Sequence, residues 1–149
     1  MKAIFALCLV LALASIQCTF TPEWESCEWR LWKTTNVTMD APAASGKNST
    51  FTICGENPNP EKLYFNAIRW KLTEYGLNNK IPIEKVYVPG HGSHCFEANI
   101  YIDYIYEKGL GVYFAMDGNF AVMGCVTAYV YNDDTDDSDD NDDQKFLSS

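Results

Sequence analysis

Between Ala98 and Tyr131 apolar and polar residues alternate more densely than anywhere beyond the first eighteen residues, and that period of two predicts β-strands. In the first run Ile100, Ile102, Tyr104 and Tyr106 share one face, while Asn99, Tyr101, Asp103 and Ile105 share the other. Glu107-Lys108-Gly109 supplies turn chemistry, and Val112, Phe114 and Met116 mark a second strand. Asp117-Gly118 reads as a two-residue hairpin turn, because both central positions of such a turn favour φ > 0. Asn119 to Tyr131 then closes a three-stranded meander.

The same alternation recurs upstream. Phe51 and Ile53 share a face in a strand over Ser49 to Cys54, which the turn-rich Gly55 to Pro60 ends. From Leu63 to Tyr75, Tyr64, Ile68, Trp70 and Leu72 fall on one face and Arg69 and Lys71 on the other; β-branched and aromatic content favours strand over helix here. Ile81-Pro82-Ile83 reads as an edge segment, since proline cannot donate to a ladder, and Glu84 to Val88 as a short strand. Thr38 to Lys47 and Pro89 to Cys95 read as loops. Short strands at this spacing, with turns between them and no long helix, predict an all-β fold: an antiparallel two-sheet sandwich of the immunoglobulin-like kind.

Three segments divide the 149 residues. Residues 1–18 carry a basic start at Lys2 and an apolar run from Ala3 to Ala14, shorter than the ~20 residues a membrane span needs, and read as a secretory signal peptide. Residues 19–131 form the sandwich domain. Residues 132–149 hold paired aspartates that bury no apolar surface and repel one another, so a disordered acidic tail is expected. Eight of the twenty acidic residues lie between Asp133 and Asp143, which leaves twelve in residues 19–132 against nine Lys and Arg, a balance of −3. The domain is nearly neutral and carries no basic footprint for nucleic acid.

Cysteine parity sets the cleavage point. A cut after Ala14 satisfies the small-residue rule, but a cut after Cys18 leaves the even set Cys27, Cys54, Cys95 and Cys125, which in a small secreted domain reads as two disulfides. Four cysteines allow three connectivities and their spacing does not choose; the favoured one joins Cys27 to Cys125, tying the start of the fold to its last strand, and Cys54 to Cys95. Each bridge is worth ~2–4 kcal/mol in the chain-entropy model. Sequons at Asn36-Val37-Thr38 and Asn48-Ser49-Thr50 mark Asn36 and Asn48 as glycan acceptors on a secretory route.

No catalytic pattern emerges, and the chain is read as a non-enzyme without a cofactor. His91, His94 and Cys95 lack the further ligands a metal needs, and Gly90 to His94 is not a nucleophile elbow. Gly109-Leu110-Gly111 opens no helix, so it is not a phosphate loop; Asp103 and Glu107 are a carboxylate pair such as any secreted domain supplies. The Asp-rich tail offers weak calcium contacts but lacks the glycine and ligand order of an EF-hand. The aromatic surplus remains. Tyr64, Trp70, Tyr104, Tyr106, Phe114 and Phe120 either line an apolar pocket between two sheets or fill a dry core, and composition alone favours the filled core.

The order of features resembles the ML lipid-recognition family, the secreted sandwiches that include the ganglioside activator, sterol carriers of the Niemann-Pick type C kind and group 2 mite allergens. The likeness is carried by Phe20 and Trp24 before Cys27, by Gly46 to Thr50 opening a strand, and by the strand Leu63 to Leu72. Lys71-Leu72-Thr73-Glu74-Tyr75-Gly76-Leu77 and the ending Tyr113 to Tyr131, with Asp117-Gly118 before Gly124-Cys125-Val126, complete it. The resemblance implies a sandwich holding a fatty acid, sterol or glycolipid between its sheets, and it supports the Cys27 to Cys125 link. Alternation then nominates Tyr64, Ile68, Trp70, Leu72, Ile102, Tyr104, Phe114 and Phe120 as the lipid pocket. The alternative is a secreted interaction or matrix glycoprotein with a filled core, whose tail meets calcium or basic partners.

Overall fold

A computed structural model describes residues 19–27, 31–72, 79–118 and 121–132. These form eight strands: β1 (Glu23–Ser26), β2 (Lys33–Met39), β3 (Lys47–Glu56), β4 (Leu63–Leu72), β5 (Asn79–Val88), β6 (Ser93–Ile102), β7 (Leu110–Asp117) and β8 (Val122–Val130). Five strands pair in the order β1-β8-β7-β4-β5 and three in the order β2-β3-β6, every pair antiparallel. With β2 to β8 lettered A to G, A-B-E make one sheet and D-C-F-G the other, an immunoglobulin-like sandwich to which β1 adds an edge. Among the described residues there is no helix, and so none long and apolar enough to cross a membrane.

Alternation builds the core. Phe51 and Ile53 of β3, Ala98, Ile100 and Ile102 of β6, and Val112, Phe114 and Met116 of β7 are all fully buried. The Phe51 and Phe114 rings meet across the two sheets at 5.0 Å between centroids. At the other end of the sandwich Trp32, Phe65 and Phe96 form an edge-to-face trio with centroids 4.9 to 5.6 Å apart. Both disulfides form as favoured: Cys27 joins Cys125 and Cys54 joins Cys95, with Cα separations of 5.4 and 4.0 Å. The second links directly opposed residues of β3 and β6.

Four sequence expectations need correction. The stretch from Ala98 to Tyr131 is not one meander: β7 and β8 pair, but β6 lies in the other sheet against β3. Ten register pairs and the Cys54–Cys95 bridge hold it there, and residues 103–109 carry the chain across between the layers. Asp117-Gly118 is not a two-residue turn either. Asp117 ends β7 as a partner of Arg69, and the connection runs to Ala121, whose carbonyl accepts from Gly118 N–H. Thr38 and Met39 belong to β2, with Met39 buried, rather than to a loop. Ile81–Ile83 and Glu84–Val88 form one continuous strand, in which Pro82 sits opposite Ala67 with no strand on β5's other side. The proposed leader, the acidic tail beyond Asn132 and the end of the Leu63 to Tyr75 run at 73–75 lie outside the described residues.

Candidate ligand-binding site

Sheet widths differ, and that difference locates the site. At ~4.8 Å between neighbouring strands, five strands span ~19 Å and three span ~10 Å, so the larger sheet overhangs the smaller one. Trp24 of β1 is only partly buried at one overhang. At the other, β4 and β5 expose a longer apolar strip. The pairs Ile68 with Ile81 and Phe65 with Val86 put these four residues on the inner face. Ile81, Ile83, Val86 and Trp70 pack against the core yet stay half-buried on the edge strand β5 and its neighbour β4.

The residues nominated from sequence fall into three groups. Ile68, Leu72, Ile102 and Phe114 come together between the sheets, all at 8% exposure or less, and Trp70 shares their face at the open edge. Tyr64 and Tyr104 do not join them. A bulge between Phe65 and Ala67 reverses the parity of β4, so Leu63 and Phe65 point inward before it and Ile68 and Leu72 after it. Tyr64 therefore lies on the outer face, its ring 5.0 Å from that of Tyr87. The β6 ladder stops at Ile102, and beyond it the alternation fails: Tyr104 is half exposed, whereas Ile105, assigned to the opposite face, is buried. Phe120 lies outside the described residues.

Residues missed from the sequence are as informative. Ile81, Ile83 and Val86 form the open strip, but Pro82 and a phase change between Ile83 and Val86 split them into two segments. Joining Ile81, Ile83, Val86 and Val88 as one shifted alternation was the available signal. Trp32, outside the strands read from the sequence, is buried against Phe65 and Phe96.

Elsewhere the polar groups serve structure. His91 occupies a turn at φ 59° and donates its N–H to Asn59 O, while the His94 ring lies 4.7 Å from that of Phe96. Among the described residues no three His, Cys, Asp or Glu side chains gather as a metal site requires. Asn57, fully buried, donates to Glu61 O at 2.7 Å and accepts from Asn59 N–H at 3.0 Å, fixing the β3–β4 loop. Asn36 and Asn48 are exposed on the outer face of the smaller sheet, opposite Cys54 and Tyr101. The Arg69 guanidinium is pushed above its ordinary pKa, chiefly by its hydrogen bonds to Asp117, and Tyr129 above its own by donating to Glu25. No protein-family model matches the chain, and no curated protein matches it either.

Proposed function

We propose that the chain is a secreted glycoprotein that binds and carries an elongated hydrophobic molecule such as a fatty acid, a sterol or the chain of a glycolipid. One observation carries this reading: the half-buried strip of Trp70, Ile81, Ile83 and Val86 on the inner face of an unpaired edge strand. Removing apolar area from water yields roughly 25 cal/mol per Å², so an acyl chain laid along four such side chains gains several kcal/mol before its ordering costs. The ligand enters from the β5 edge and reaches Ile68, Leu72 and Phe114 only as the sheets part. Two disulfides and two exposed sequon asparagines support the secretory setting.

A second reading has its own support. The inter-sheet side chains of β3, β6 and β7 are covered by one another, as in an interaction or matrix protein with a filled core whose Asp-rich tail meets calcium or basic partners. Native mass spectrometry of protein from its own source, with uptake of a fluorescent fatty acid and a fluorescent sterol, separates the two. The carrier reading expects co-purifying lipid, saturable uptake, and about tenfold weaker uptake in Ile83→Asp with cooperative unfolding kept, since Ile83 lies at the margin of the core rather than within it. Lipid-free protein that takes up neither probe leaves the filled-core reading.

A further inference from the structure

The outer face of β4 and β5 concentrates positive charge in a molecule whose net charge is −9. Arg69 and Lys80 stand directly opposite each other in the ladder, and Lys71 follows on the Arg69 side of β4. Lys62 lies over the Tyr87 ring at 5.1 Å, and Lys85 shares the Tyr87 side of β5. Like charges set opposite each other across a ladder repel. Asp117 offsets one of the pair, holding Arg69 at 2.5 and 3.2 Å. The exposed Lys80 has no ion-pair partner among the described residues, and Glu84 is the nearest acid along its own strand. Arg69, Lys80, Asn66 and Gly118 border a shallow concavity on this face.

The chain supplies an anion of matching charge. Eight aspartates follow Asn132, where the main chain leaves the end of β8. Arg69 is level with Ala115 and Cys125, five residues back along β8 from Val130. At ~3.3 Å per residue and ~4.8 Å per strand, Lys80 lies about 22 Å from that exit, a span that seven or eight extended residues cover. Lys71, level with Tyr113 and Thr127, lies on the way. We propose that the basic face Lys71–Arg69–Lys80 is the docking surface for the chain's own Asp133–Asp143 segment. Tethering gives that segment an effective concentration of order millimolar, so weak, screened ion pairs suffice, and any external anionic partner of this face must displace it.

Zero-length carbodiimide coupling of the full chain at low salt, followed by peptide mapping of the monomer band, tests this. The expected result is an amide bond from Lys71 or Lys80 to an aspartate within 133–143, reduced roughly fivefold or more at about 0.5 M salt. In a full-length variant with those eight aspartates changed to Asn, the Arg69 and Lys80 backbone amide NMR signals should shift at low salt and coincide with the parent's at high salt. Links confined to a dimer band, links to other lysines only, or identical amide signals at low salt would each overturn the proposal.

Discussion

At the scale of single residues the sandwich turns on how Trp32 is seated. Its indole lies between two glycines: a Cβ on Gly55 of β3 would stand 2.5 Å from the ring, and one on Gly124 of β8 2.6 Å from it. That close approach lets one large side chain bridge the two sheets, and among the described residues the buried Trp32 Nε1 and Thr34 Oγ1 have no hydrogen-bond partner. An unmet buried hydroxyl costs about 1–3 kcal/mol. Thr34→Val keeps the shape and β-propensity of the side chain, so it is expected to raise stability by about 1 kcal/mol, read as a higher denaturant midpoint at unchanged m-value. Tyr129 gives the pH counterpart. Its hydrogen bond to Glu25 holds the phenol above its ordinary pKa in the folded state. The stability it contributes is therefore fully present below the unfolded-state value of ~10 and is lost as pH rises through the folded one. An ultraviolet titration should show a late-ionising tyrosine that is missing from Tyr129→Phe, whose stability relative to the parent improves above that range.

At the scale of elements, alternation reveals where strands run, and parity errors decide which side chains reach the site. Phe51, Ile53, Val112, Phe114 and Met116 were legible because their strands hold one phase throughout. Tyr64 was not, because a register shift between Phe65 and Ala67 puts it out of phase with Ile68 and Leu72, and no composition signal marks that shift, which takes in Asn66 on β4 and Ile83 to Lys85 on β5. Tyr104 was lost for a related reason: period two has meaning only inside a ladder, and β6 ends two residues earlier. Which sheet β6 joins was equally hidden, since the β3–β6 pairing joins residues far apart in sequence, from Glu56↔Ser93 to Lys47↔Ile102, and follows from tertiary packing. The bulge is testable. Deleting Asn66 would join Phe65 to Ala67, so that Leu63, Phe65, Ile68 and Leu72 alternate in one phase on the face they already fill while Tyr64 stays outside; cooperative unfolding is therefore expected to be kept, followed by tryptophan fluorescence. A variant that loses its sharp transition would show that the residue at position 66, and not the phase of the side chains on either side of it, is what the β4–β5 pairing needs.

At the scale of the whole molecule, two sulfur links brace different parts of a two-layer body. Cys54–Cys95 joins opposed residues within the smaller sheet across 41 positions, and Cys27–Cys125 ties the short edge strand β1 back to β8 across 98. By loop-closure entropy the longer loop is worth ~4.7 kcal/mol and the shorter ~3.9, a difference too small to rank them. What surrounds each bridge does rank them. Without Cys54–Cys95, β3 and β6 still share ten register pairs and the buried faces of Phe51, Ile53, Phe96 and Ile100. Without Cys27–Cys125, the four-residue β1 keeps four register pairs with β8, the Tyr129–Glu25 hydrogen bond and the half-buried Trp24, far less than β3 and β6 share. Paired Cys→Ala variants are therefore expected to differ in kind. The Cys54/Cys95 pair should lose about 4 kcal/mol with hydrogen-exchange protection kept throughout both sheets. The Cys27/Cys125 pair should lose a similar amount and also lose protection at Trp24–Ser26 and the facing Val126–Ala128 amides well below global unfolding, since edge strands open locally when their contacts are few. Equal protection at β1 in the two variants would mean that side-chain packing of Trp24, rather than the bridge, holds the edge.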